Sequence, residues 1–385
     1  MEPWLRGLYD AEGQRSVDRW AIEDQGVDSL ELMEAAGQAV AEAVARLSPQ
    51  GPVRVVCGKG NNGGDGLVAA RLLRGMGFEV EALLLWPADE LSEDARSNLD
   101  RLSQATEGVR SSRRYPTISA NAAAGEVGQD AGVFEVGDDI AARLANSGAV
   151  VDAIFGTGFA GAPREPAAAA IAAIATVKEG GAPVVACDVA SGVDAATGEV
   201  AGAVVEADVT VTFHGAKVGH YVAPGKWATG ELVVAPIGIP PGAPEPAAAG
   251  VIEPAVLDLL PRRGPQSTKF SSGQVTIAGG SRGLTGAVRM SSTAAIRAGA
   301  GYATVAVPAD LESIFEAAEV EVMSKGIAGP AGRLGTDGVD QILAAFERAA
   351  GGVLGPGLGR DEDSLALARA VAPRIDAPLV IDADG

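Results

Sequence analysis

Histidine and cysteine are nearly missing: the chain of 385 residues holds two of each, His214 and His220, Cys57 and Cys187. A zinc site needs a cluster of such ligands, so this composition makes zinc a poor expectation. The cysteines lie in separate apolar, strand-like runs, which predicts two buried, reduced thiols and a cytoplasmic setting. Neither a reactive cysteine context nor a G-x-S-x-G elbow occurs, so acyl-enzyme chemistry has no support. Basic blocks are absent too. Lys and Arg total 30 against 50 Asp and Glu, a formal charge of −20, which disfavours a phosphate backbone or an anionic membrane as partner. The longest apolar stretch, Ala167 to Val177, has 11 residues and is too short for a bilayer. The opening MEPWLRGLYD lacks the apolar segment of a signal peptide. The expectation is a protein with no nucleic-acid and no membrane partner.

What the chain does have is glycine, 52 residues without a Gly-X-Y period, within a globular balance of 47% apolar and 21% charged residues. Its length predicts two or three domains at roughly 100–200 residues each. Short apolar runs alternate with helical patterns, the signature of βαβ units and a parallel sheet. Asp28 opens a helix in which Leu32, Met33, Ala36, Val40 and Val44 recur at helical spacing. Strand Val53–Cys57 enters the turn GKGNNGGDG, helix Leu67–Met76 stops at Gly77, and Val80–Trp86 is the next strand. Residues 87–140 read as helix and loop. Strand Val150–Ile154, an alanine-rich helix Pro166–Lys178, and strands Val184–Val189, Val209–Phe213 and Leu232–Val234 continue the pattern. IPPGAPEPAAAG, 239–250, reads as linker, since Pro and Gly break regular elements there. A second run follows, with strands Val275–Ala278, Tyr302–Val307, Val353–Leu354 and Leu379–Ile381 among helices Ala287–Ala298, 309–322, 338–349 and 363–372.

Three glycine-rich stretches end strands and carry acidic or amide side chains. Gly58–Gly66 lets backbone approach a ligand and aims the following helix N-terminus at it, which suits phosphate. Asn61, Asn62 and Asp65 add polar atoms beyond what a plain phosphate loop needs; the bland reading is a tight turn. Asp152 precedes Gly156-Thr157-Gly158-Phe159-Ala160-Gly161-Ala162, and Asp188 precedes Ser191-Gly192. Each acid alone could be a cap, but in a doubly wound sheet ligands bind beyond the carboxyl ends of strands, where all three stretches would meet. Oxygens from Asn62, Asp152 and Ser191 would suit a weakly held cation. Lys217 either meets a phosphate or is an exposed loop lysine.

GNNGGDGLVAARLL, DAIFGTGFAGAPREP, CDVASGVDAATGEV, ADVTVTFHGAKVGH and GELVVAPIGIP, in that order, resemble the NAD(P)H-hydrate epimerase domain. GGSRGLTGAVRMSSTAAIRAGAGYATVAVP, GVLGPGLG and PLVIDADG resemble the ADP- or ATP-dependent NAD(P)H-hydrate dehydratase domain. The pair resembles the bifunctional NAD(P)H-hydrate repair enzyme family. The resemblance implies an α/β chain: a Rossmann-like three-layer epimerase domain over 1–240, a linker over 241–265, and a ribokinase-like domain over 266–385, incomplete at its C-terminus. It places the substrate, the R and S forms of hydrated NADH or NADPH (NADHX and NADPHX), on Asn61, Asn62, Gly63, Gly64, Asp65, Gly156 to Ala162 and Asp188. It places a potassium ion on Asn62, Asp152 and Ser191. Where that family reads D-x-P-S-G, this chain reads Asp188-Val-Ala-Ser-Gly, and the lost proline bears on the turn carrying Ser191. In the dehydratase domain it places substrate near Ala287 and Gly357, with ADP or ATP and magnesium as co-substrates. The stretches that resemblance assigns to the nucleotide are missing from the 385 residues, so the expectation is epimerisation without nucleotide-dependent dehydration. Asp188 or Asp152 is the expected proton-transfer group. A homo-oligomer is expected on the same ground. A non-catalytic dinucleotide-binding scaffold and a sugar-kinase-like protein are the alternatives.

Overall fold

The computed structural model describes residues 2–109, 132–137 and 139–385, and the chain divides into two compact units, Met1–Leu259 and Leu260–Gly385. The part of the helix-and-loop expectation that falls on 110–131 lies outside the described residues.

The first unit runs β1 (Leu5–Leu8), α1 (Ala11–Arg19), α2 (Ser29–Arg46), β2 (Val53–Cys57), α3 (Asn61–Gly75), β3 (Val80–Leu84), α4 (Glu93–Val109), β4 (Val133–Glu135), α5 (Ile140–Leu144), β5 (Ala149–Ala153), α6 (Ala167–Glu179), β6 (Val184–Cys187), β7 (Val209–Phe213), α7 (Gly225–Ala228), β8 (Glu231–Ala235) and β9 (Ala249–Ile252). Seven strands form a parallel sheet in the order β4-β3-β2-β5-β6-β7-β8. Alternation along each strand sends side chains to opposite faces. Val53, Val55 and Cys57 join a core with Val40, Leu67 and Leu99 from α2, α3 and α4. Val56 joins the other core with Leu144 and Ile171 from α5 and α6. Three layers result. Asp28 starts α2 by accepting a hydrogen bond from the Leu30 N–H at 2.8 Å, and the spaced apolar series beyond it is buried. The strand order reverses between β2 and β5, so the loops leaving those strands diverge and open a crevice at the carboxyl edge.

Two sequence expectations change here. Asn61–Gly66 form the first turns of α3 rather than a loop. Glycine disfavours helix, but this backbone is pressed where side chains do not fit: a Cβ on Gly63 would stand 1.9 Å from the Gly58 carbonyl, and one on Gly66 2.6 Å from Ala153 Cβ. Residues 249–252, inside the expected linker, form β9, which pairs antiparallel with β1. Both strands are short and lack an apolar alternation, so the pairing leaves little trace in sequence.

The second unit holds β10 (Gln274–Ala278), α8 (Thr285–Ala298), β11 (Tyr302–Pro308), α9 (Glu312–Ala318), β12 (Val322–Ile327), α10 (Val339–Phe346), β13 (Gly351–Leu354), α11 (Glu362–Val371) and β14 (Leu379–Ile381). Its parallel sheet has the order β12-β11-β10-β13-β14, again reversing at a central pair, β10 and β13. The helix expected over 309–322 ends at Ala318, and strand β12 follows where none was expected.

Candidate active site

A cavity of about 490 Å³ runs along the carboxyl edge of the seven-stranded sheet. Asn61, Asn62 and Asp65 reach it from α3, Gly156–Phe159 from the loop after β5, and Asp188 and Lys217 from beyond β6 and β7. Its lining also includes Gln14 and Asp18 of α1.

Asp188 is the best-anchored acid on this wall. Its backbone has φ +66°, a left-handed conformation that costs a non-glycine residue free energy and turns the side chain inward. Oδ2 accepts the Thr157 N–H at 2.9 Å; Oδ1 accepts the Thr212 hydroxyl at 3.0 Å and lies 2.9 Å from Lys217 Nζ. Lys217 is 0% exposed, and Nζ also donates to Thr212 Oγ1 at 2.8 Å and the Phe213 carbonyl at 3.1 Å. All three ammonium hydrogens are therefore committed. Burial pushes the Asp188 carboxyl upward, but the Lys217 charge and hydrogen bonds outweigh it and hold the acid below its ordinary range. His220 completes the cluster: Nδ1 accepts the Lys217 backbone N–H at 3.1 Å, which leaves Nε2–H to donate to the Asp188 carbonyl at 3.0 Å. Burial and the nearby Lys217 lower the imidazole to about 4, so the ring is neutral.

Asp65 behaves oppositely. Burial and the neighbouring Asp188 and Asp18 carboxylates raise it well above the usual carboxylate range. Asp18, hydrogen-bonded at 2.9 Å to Gln14 Nε2, is also raised by burial. The cavity thus sets one acid pushed down beside two pushed up, the kind of divergence that separates base from acid roles.

Asp152 and Ser191 do not line the cavity. Fully buried Asp152 accepts the Ser191 hydroxyl at 2.6 Å, the Ser191 N–H at 2.8 Å and the Ile154 N–H at 3.3 Å, while Ser191 Oγ accepts the Phe155 N–H at 3.0 Å. Burial raises Asp152 to about 6. These bonds tie the loops after β5 and β6 together even without the proline at position 190. Both amide atoms of Asn62 are buried without a hydrogen-bond partner, and Oδ1 is 3.3 Å from where a Gly156 Cβ would stand. An amide oxygen, a carboxylate and a hydroxyl are hard oxygen donors, so the set suits a cation that takes oxygen ligands, and the unmatched amide leaves one donor unused.

Of the residues expected at the site, Gly63 and Gly64 act as packing positions, and Ala160, Gly161 and Ala162 lie outside the lining. In the second unit, Ala287 on α8 and Gly357 after β13 follow the adjacent strands β10 and β13. Gly357 has φ +61°, and Ser281 Oγ donates to its carbonyl at 2.9 Å. Sequence reasoning left Lys217 open and missed Thr212, His220 and Asp18. A threonine alternating into the apolar strand Val-Thr-Val-Thr-Phe was the available signal for Thr212; Asp18 offered none.

Comparison with known proteins agrees with this layout. Residues 29–219 match the family described as YjeF-related protein N-terminus, and residues 275–385 the family described as NAD(P)H-hydrate dehydratase. The bifunctional NAD(P)H-hydrate repair enzyme of Moorella thermoacetica is 38% identical over 98% of this chain and 68% of its own length. The chain belongs to the bifunctional NAD(P)H-hydrate repair enzyme family. The repair enzyme of Methanothermobacter thermautotrophicus is 37% identical over 93% of this chain and 64% of its own, and that of Salinibacter ruber 36% identical over 98% and 69%. The chain thus spans about two thirds of the length of these repair enzymes. The first of the two family matches falls within the first unit and the second within the second unit. No helix among the described residues is long and apolar enough to cross a membrane.

Proposed function

We propose that the first unit interconverts the R and S forms of hydrated NADH and NADPH. The single observation that carries this reading is the shared cavity in which Asp188, held low by the Lys217 charge, stands with Asp65, raised well above the usual carboxylate range by burial. In the hydrate a hydroxyl stands on a ring carbon beside the nitrogen. Asp65 gives its proton to that oxygen, the carbon–oxygen bond breaks, and water departs with the bonding pair. The ring nitrogen stabilises the cation left behind, and the ionised Asp188 lies in the same cavity to favour it electrostatically. Water then adds to either face, its proton passing to a carboxylate, which restores the hydrate and permits the opposite configuration. The N-terminus of α3 and the Thr157 loop supply dipole and backbone donors for the pyrophosphate, useful in a protein of charge −20.

Asp152 is assigned a positioning role, locking Ser191 and the Phe155 backbone. Potassium would be held by Asn62, Asp152 and Ser191. When bound, it supplies positive charge beside an acidic cavity. Thermal shift with KCl against LiCl would test this, with Asn62→Ala expected to abolish the difference.

The test of the function is R-to-S exchange of NADHX, followed chromatographically on the full chain. Exchange in the wild type, lost in Asp188→Asn, is expected. A wild type that binds NADP+ but never exchanges the epimers would point to a scaffold instead.

A further inference from the structure

The cavity has two chemically different ends. Asp188 and Lys217 follow β6 and β7, whereas Lys59 and Trp86 follow β2 and β3. In the order β3-β2-β5-β6-β7, strands about 4.8 Å apart put the ends of β3 and β7, which Trp86 and Lys217 follow, roughly 19 Å apart, and those of β2 and β6, which Lys59 and Asp188 follow, roughly 10 Å apart. Aromatic rings lead inward from Trp86: it lies 6.3 Å from Phe155, in the loop after the middle strand β5, and Phe155 stacks on Phe159 with centroids 4.4 Å apart. Lys59 Nζ is 5.9 Å from the centre of the Trp86 ring and 3.1 Å from Glu90 Oε2. Among the described lining residues the cations are Lys59 and Lys217. Lys217 has no hydrogen left to donate, while the Lys59 side chain is 53% exposed and bonded to one carboxylate. An incoming anion at this end would therefore meet Lys59.

Parallel sheets that bind dinucleotides set the pyrophosphate at the first glycine turn and read the ribose 2′ position beyond the next strand. Here the glycine turn follows β2 and the next strand is β3. We propose that the Trp86–Phe155 side takes the adenine ring, and that Lys59 meets the 2′-phosphate, so that hydrated NADPH is preferred over hydrated NADH. This rests on reading the cavity as a dinucleotide site. The hydrated ring then lies at the Asp188 end, where the acids stand. Aromatic faces suit a flat base, and an ammonium on a phosphate is a charge-assisted contact.

Calorimetric titration of the full chain with NADP+ and NAD+, and with adenosine 2′,5′-bisphosphate and 5′-AMP as adenosine-end probes, tests it. The phosphorylated member of each pair is expected to bind about tenfold more tightly at low salt, with the preference narrowing as salt rises. Lys59→Met should reduce the preference to about onefold, and Glu90→Gln, which frees the lysine, should keep it. Trp86→Ala should weaken both adenosine-end probes. An unchanged ratio in Lys59→Met overturns the assignment, whether both affinities fall together, as for a pyrophosphate contact, or neither moves. Failure of all four probes to bind also overturns it. The proposed reaction is judged separately by epimer exchange: exchange with an unchanged ratio removes only Lys59's role, and a selective ratio without exchange removes only the reaction.

Discussion

Asp188, Lys217 and His220 depend on one another, and their variants should differ in kind. Asp188→Asn keeps the size of the side chain but removes its charge, so epimer exchange should fall about 10²–10³-fold, the usual cost of losing one group that stabilises developing charge. Lys217→Met leaves Asp188 buried without its cation, and such broken pairs destabilise by about 3–5 kcal/mol. Denaturant unfolding of that variant, compared with wild type at neutral pH, checks it. His220 predicts a pH dependence. Its imidazole titrates at about 4 in the folded chain, against 6.5 for the ordinary value, so the unfolded chain binds the extra proton first. The stability tied to the neutral ring is complete above pH 6.5 and is lost as the pH falls toward 4, in total about 3 kcal/mol. His220→Gln cannot take up that proton, so it should lose less stability than wild type between pH 7 and pH 4.5. Equal losses would show that this histidine does not contribute.

At the scale of the element, α3 shows how tertiary packing outweighs helix propensity. Its first turns, Asn61 to Gly66, carry residues that read as a loop. Gly63 faces the Gly58 carbonyl, 1.9 Å from where a Cβ would stand, and backbone does not yield; nothing lies within 4 Å of a Cβ on Gly60. Gly63→Ala should therefore lower the unfolding free energy by about 2 kcal/mol or more and damage exchange, while Gly60→Ala should stay within about 0.5 kcal/mol of wild type. Thermal unfolding of the pair decides it; equal costs would mean that the packing around Gly63 relaxes. The strand ends were easier to read than helix starts, because a run such as Val184–Cys187 is uninterrupted and buried on both faces.

For the whole molecule, the division at Leu259/Leu260 lies inside the stretch expected as linker, but β9 belongs to the first unit through its pairing with β1. A fragment ending at residue 259 keeps that pairing, and one ending at residue 240 loses it. The longer fragment should melt several degrees higher and retain exchange at the full chain's rate, measured by thermal scan and by the epimer assay. Identical melting temperatures would show that β1 and β9 add nothing to the first unit's stability.

The linear order of glycine turns, acids and buried strands already determined the α/β class, the two units and the edge of the sheet where the cavity opens, because periodicity and strand-end glycines are local properties. It also carried the resemblance to the repair enzymes. Which acid stays ionised was a matter for the tertiary structure alone. Asp152 and Asp188 look alike along the chain, yet one is enclosed by loop backbone and the other meets an ammonium brought from beyond β7. Lys217 stayed open between a phosphate contact and an exposed loop lysine because nothing local reveals burial; only the tertiary structure withdraws it from water among Thr212, Phe213 and Asp188, and a charge so withdrawn persists only beside an opposite one.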